Sequence, residues 1–297
     1  MKNLLNKIFL LILVVVCIAF SGCSKEKTSS NTKTPNKKIP IAVSIVPEET
    51  FVKAVGGNLI DVVTMIPSGQ SPENFQPTPD LIEKFSKSEL YFPIGVPTEK
   101  SSILPKAKDL NSDLKIVNLA KEVSKVYPDR EFAPEKRDPH IWLSPKRVKI
   151  MINIIKDELS KIDPNNKSVY EKNAGEYIQK LDKLDSDIKT SLTKLKNKTL
   201  IVYHPAFGYL CDDYGLEMIS LENEGKEAPP QDLQQTIDAA KTKGIKAIFY
   251  QQEIDSRQSK TFAEEIGGKT ELIAPLAPNY IENLEKIADT FRQVLTQ

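Results

Sequence analysis

The only two imidazoles in this 297-residue chain are His140 and His204, set among 41 basic and 40 acidic side chains. His140 lies in DPHIWLSP (138–145), and His204 closes the apolar run TLIVYH (199–204). Imidazole ligates divalent metals or moves protons near neutral pH, and a ligating ring usually has its second nitrogen held by a hydrogen-bond partner. A lone histidine is more often a packing residue. These two occupy comparable places: His204 ends a strand-like run, and His140 ends a polar loop just ahead of a helix opening at SPKR. In open α/β sheets, ligands bind beyond the carboxyl ends of the strands. A third phrase, PSGQSPENFQPTP (67–79), follows DVVTMI, and its prolines and glycine fix an irregular loop with Glu73 and Asn74 at the apex. Taken alone, that loop is a strand-to-helix turn in which Thr78 caps a helix and Glu73 is solvated. The chain has no G-x-S-x-G, no G-x-x-x-x-G-K-[ST] and no G-x-G-x-x-G, so serine-hydrolase, P-loop and dinucleotide chemistry are set aside.

The elements that must position these residues follow an α/β rhythm. IPIAVSI (39–45), DVVTMI (61–66), LYFPIG (90–95) and KIVNL (115–119) read as strands, with helices at 47–56 and 79–88. A second set comprises TLIVYH (199–204), MISLE (218–222), KAIFYQ (246–251) and ELIAPL (271–276), with helices near 231–243, 256–266 and 279–296. Alternating strands and helices imply parallel sheets, here in two separate sets. Between them, after DPNN (163–166), apolar residues fall at Tyr170, Ala174, Tyr177, Leu181, Leu184, Ile188, Leu192 and Leu195. Steps of three and four keep one helix face apolar, which predicts a single unbroken helix over 165–197. A coiled-coil seam would need a twin segment or further heptads. A rigid connector packed across both sets fits better. The predicted organisation is an N-terminal lobe at 39–144, a helical segment at 145–198 and a C-terminal lobe at 199–297.

The N-terminus bears on compartment. Lys2 and Lys7 precede the apolar run 8–20, followed by SGC at 21–23. A basic start, a short apolar stretch and small residues before the cut describe a secretory signal over 1–22, too short to span a bilayer comfortably. Ser21-Gly22-Cys23 resembles a bacterial lipobox, which makes Cys23 the expected lipidation site. Residues 23–38 read as a polar tether. Cys17 leaves with the signal and Cys23 takes the lipid, so Cys211 alone remains and no internal disulfide forms. The near-balanced charge argues against a nucleic-acid partner, and a monomer is expected.

PSGQSPENFQPTP, DPHIWLSP, YHPAFGYLCDDYGLE and IAPLAPNYIENL resemble, in order, four signature segments of the metal-binding solute receptors of ABC transporters, the zinc/manganese uptake family. The resemblance covers essentially all of 40–295. It implies two (β/α) lobes with parallel sheets joined by one long backbone helix, and a divalent ion in the cleft between them. The ion, zinc by default and manganese or iron alternatively, is the transported ligand, to be passed to an ABC permease; no catalysis is expected. His140 and His204 match ligand positions in register. Glu73 stands where such sequences carry a histidine, and Ala274 where they carry a carboxylate. The implied ligand set is therefore Glu73, His140 and His204. If Glu73 binds through both oxygens, four-coordination is complete without Ala274; if it binds through one, a water or a side chain from Gln251, Gln252 or Glu253 fills the gap. The charged loop 122–137 lacks the histidine-rich insert of many zinc-specific relatives. Two other functions stay open: a diverged receptor that has lost metal for another ligand or an adhesive role, and a metal-dependent hydrolase.

Overall fold

The first sheet is built from four short apolar runs whose order in space is not their order in the chain. In the computed structural model, which describes residues 38–222, 227–254 and 257–296, β1 (Ile39–Val43), β2 (Ile60–Thr64), β3 (Leu90–Phe92) and β4 (Lys115–Ile116) pair in parallel in the order β2-β1-β3-β4. Helices α1 (Val46–Gly56), α2 (Pro79–Ser86), α3 (Leu104–Leu110) and α4 (Leu119–Ser124) fill the connections. Cys23, the predicted signal 1–22 and the tether through residue 37 lie outside the described residues. The described residues all belong to one compact unit, Lys37–Gln297.

The second sheet repeats the scheme. Strands β7 (Thr199–Val202), β8 (Glu217–Ser220), β9 (Ala247–Tyr250) and β10 (Lys269–Leu272) are parallel in the order β10-β9-β7-β8. With them come α7 (Gly208–Tyr214), α8 (Pro230–Thr242), α9 (Arg257–Glu265) and α10 (Tyr280–Leu295). Strands buried on both faces read as continuous apolar runs, which is why LYF and TLIV, fully buried here, are legible in the sequence.

Between the sheets run α5 (Pro145–Ile162) and α6 (Lys167–Thr193), the latter 27 residues long and unbroken. Ser144 caps α5, its Oγ accepting from the Arg147 N–H at 3.4 Å. No side chain caps α6 at Asn166. A 3-10 turn over Pro164–Asn166 leads in instead, with Asp163 accepting from Tyr170 Oη at 2.7 Å. All eight apolar residues from Tyr170 to Leu195 are buried, in one core that also holds Phe51 of α1, Ile152 of α5, Phe207 just ahead of α7 and Phe291 of α10. The helix therefore belongs to both halves at once. At ~25 cal/mol per Å² of apolar surface, that shared face is a main fastening between them.

Three expectations need correction. The strand read at 115–119 is only two residues long, because Asn118 turns to cap α4, its Oδ1 accepting from the Lys121 N–H at 2.9 Å. The strand read at 271–276 begins earlier and stops at Leu272; Ile273 makes the last ladder bond, to Tyr250 O at 2.9 Å, and Pro275 has no N–H to extend it. The charged loop 122–137 is not all loop. It folds β5 (Glu131–Ala133) against β6 (Lys136–Arg137) as an antiparallel pair, turned through Glu135 at φ 65°. No described helix is long and apolar enough to cross a membrane.

Candidate metal centre

The site assembles from three strand or loop ends. The segment after β2 carries Glu73 and is pinned from the side: the Thr98 N–H donates to Pro72 O at 3.0 Å, and Ser102 Oγ donates to Gln76 Oε1 at 3.0 Å. As read from the sequence, Thr78 Oγ1 accepts from the Leu81 N–H (3.4 Å) at the start of α2. Glu73 is only partly solvated, however: its side chain is 30 % exposed, with Oε1 3.9 Å from His204 Nε2.

His140 is set by its own neighbours. Asp138 Oδ1 accepts from the His140 backbone N–H at 2.9 Å and meets the ring Nδ1 at 2.8 Å. Asp138 is fully buried, and its Oδ2 takes the Arg130 guanidinium at 3.2 Å. Gly208 leaves room for that guanidinium, since a Cβ there would lie 2.6 Å from it. Tyr209 Oη accepts from the Arg130 N–H and donates to Asp138 O. Trp142 packs beside the His140 ring and donates from Nε1 to Pro275 O at 3.0 Å. Phe132, on the 131–137 hairpin, lies edge-on to His140 at 6.3 Å.

His204 is set by the sheet. β7 and β8 run parallel with Val202 opposite Ser220, and the Glu222 N–H continues the ladder to Tyr203 O at 2.9 Å. Extending that register brings Glu222 beside His204, where its Oε2 meets Nδ1 at 3.0 Å. Glu222 is buried. Neither Asp138 nor Glu222 was picked out from the sequence. Asp138 had a visible signal, a carboxylate two residues before a histidine; Glu222 had none short of the strand order.

The consequence is electronic. A carboxylate at Nδ1 fixes the tautomer with the proton on Nδ1, so each Nε2 presents a lone pair. The two Nε2 atoms face each other at 3.2 Å, an arrangement that repels unless something positive lies between them. Two bonds of ~2.0–2.1 Å at a tetrahedral angle set ligand atoms ~3.3 Å apart, so the spacing suits one small cation. One oxygen of Glu73 and one nitrogen of each histidine all lie within 4.8 Å of one another. The donor set thus fits a divalent ion, with the charge compensation that two neutral imidazoles lack.

Gln251 and Glu253 line the same cavity, of about 10 Å³, and Glu253 does not join that tight cluster. Gln252 is exposed. Ala274 supplies no side-chain donor, and its carbonyl is occupied by Asn283 Nδ2 at 2.7 Å. Cys211 is buried in the core, where desolvation pushes its thiol up to about 12, so it offers no thiolate. Glu73, His140 and His204 also border an open cleft of about 870 Å³.

Two parallel sheets tied by one long helix, with converging nitrogen and oxygen donors at their loop ends, define a solute-binding protein for a divalent cation. Residues 41–294 match the family described as zinc-uptake complex component A, periplasmic, and the chain belongs to that family. It is 29% identical to the high-affinity zinc uptake system protein ZnuA of Bacillus subtilis (strain 168), over 93% of this chain and 89% of that protein. It is 27% identical to the zinc-binding lipoprotein AdcA of Streptococcus pneumoniae (strain ATCC BAA-255 / R6), of whose length it spans only 62%. A crystal structure of a zinc-bound ZnuA deletion mutant superposes with a TM-score of 0.83 at 32% identity, covering 88% of this chain and 99% of that one.

Proposed function

We propose that this chain is the extracytoplasmic receptor that captures zinc for an ABC permease, holding the ion through Glu73, His140 and His204. One observation carries the assignment of residues: two Nε2 lone pairs, each fixed by a buried carboxylate on its Nδ1, converge at 3.2 Å beside a carboxylate oxygen. Retention of both imidazoles and a charged donor speaks against a receptor that has lost metal. The ZnuA and AdcA relatives are named for zinc uptake and zinc binding, which favours zinc over manganese or iron as the cargo. In this reading residues 1–22 are the signal, Cys23 carries the lipid that tethers a monomer to the outer face of the membrane, and the two lobes are 39–144 and 199–297 with 145–198 between them.

Calorimetric titration with zinc tests it. Alanine at Glu73, His140 or His204 should each cost several kcal/mol of binding, on the scale of ~3–5 kcal/mol for stripping a buried charge of its partner. Glu73→His should restore affinity, because it rebuilds a three-imidazole face. Unchanged affinity in Glu73→Ala would return that carboxylate to the role of a turn residue.

A further inference from the structure

Resting on that reading of the site, we propose that Glu253 is a fourth protein ligand, supplying from the end of β9 the carboxylate that position 274 lacks. With one oxygen of Glu73 in the cluster, three donors leave a tetrahedral ion one short. Ala274 offers a methyl group at the place where the resemblance leads one to expect an acid. Among the described residues, Glu253 is the remaining carboxylate on the wall of the small cavity shared by Glu73, His140 and His204. Its Oε2 is buried and has no hydrogen-bond partner there. A carboxylate oxygen withdrawn from water without a partner is costly, and it persists where something else satisfies it. A dication in the adjoining cavity does so.

Charge supports the same choice. With Glu253 the donor set carries two negative charges against the two positive charges of the ion, between walls that include Trp142, Pro275 and Leu276. Gln251, also on the wall, brings no charge, and Gln252 faces solvent. Because Glu253 lies outside the tight three-residue cluster, ion capture draws the 251–254 turn inward. Closing the fourth position thus moves the second sheet's loop toward the ion.

The test uses the full chain, competition titration with zinc, and the visible absorption of cobalt(II) bound in place of zinc. Glu253→Gln should weaken zinc by more than the ~10–100-fold that losing an outer partner of a ligand costs, and should change the cobalt spectrum. Adding Ala274→Asp to that variant should recover affinity, and Gln252→Ala, at an exposed position off the cavity wall, should leave both readouts near those of the unaltered chain. If Glu253→Gln binds zinc and cobalt as the unaltered chain does while His140→Ala loses zinc, Glu253 is not a ligand and the three-residue site stands. If His140→Ala also keeps its zinc, the site itself is wrong. Weakened zinc with an unaltered cobalt spectrum, or a loss seen in Gln252→Ala instead, also overturns the proposal. Should Glu253→Gln fail to fold, Glu253→Asp keeps the charge one methylene shorter; a shifted cobalt spectrum then supports ligation and an unshifted one refutes it.

Discussion

The two imidazoles are mounted by different means. His140 is held by a carboxylate two residues away, and the same Asp138 also binds the His140 backbone and the Arg130 guanidinium. His204 is held by Glu222, eighteen residues on, which reaches it only because β7 and β8 lie side by side in register. One mount is a local loop device stiffened by an ion pair. The other is a product of sheet topology. The loop mount places structural duties on its carboxylate, whereas among the described residues the Glu222 side chain bonds the His204 ring alone.

The largest effect should come from cutting what the two mounts share. Leu184, fully buried on α6, sits in the core common to both halves, and Leu184→Ala should cost about 2–5 kcal/mol of stability. Urea unfolding should show one transition moved to lower denaturant, with zinc affinity of the folded protein nearly unchanged. Two separate transitions would mean that the halves are not fastened by this helix.

The carboxylates come next and separate the mounts directly. Asp138→Asn and Glu222→Gln should each weaken zinc by about 10–100-fold, the usual cost of a lost outer partner. Only Asp138→Asn should also lower thermal stability, since at a fully buried position it turns an amide N–H₂ or a neutral oxygen toward the partly exposed Arg130 guanidinium. Equal stability losses in both variants would erase the proposed distinction.

The smallest effect concerns the support behind the Glu73 loop. Glu99 accepts the N–H groups of Ile94 and Gly95 at 2.8 and 2.7 Å, one residue from the Thr98 contact that pins this loop. Glu48 is fully buried nearby. Desolvation, with the neighbouring charge of Glu99 adding to it, raises its carboxyl well above the ordinary value. A raised carboxyl binds more protons folded than unfolded, so stability falls as pH rises past the unfolded value, ~4.3, until the folded value is reached. Over that window the slope is about 1.4 kcal/mol per pH unit. Glu48→Gln keeps an oxygen for the Ser44 and Ile45 N–H groups that Oε2 now accepts. It should flatten the decline, gaining most in melting temperature at the alkaline end. A variant whose pH profile parallels the unaltered chain would show that Glu48 titrates normally.

Much of the fold is carried by short-range pattern. The 3–4 spacing from Tyr170 to Leu195 determined α6 and its buried face, because amphipathicity is a property of one helix against any core. The apolar runs LYF, TLIV and AIFY determined strands, because a strand covered on both faces needs no partner to be recognised. His140 and His204 stood out by rarity and by their places at element ends, and Glu73 entered through the resemblance of its loop. Tertiary structure decided the rest. Polar segments such as 131–137 carry no alternation, so their pairing depends on the chain they meet. The neighbour relations β2-β1-β3-β4 and β10-β9-β7-β8 are contacts between distant segments, and no local propensity encodes them. Those relations bring Glu222 to His204 and turn Glu73 from solvent toward the imidazoles. They also set Glu253, rather than residue 274, as the acid on the cavity wall.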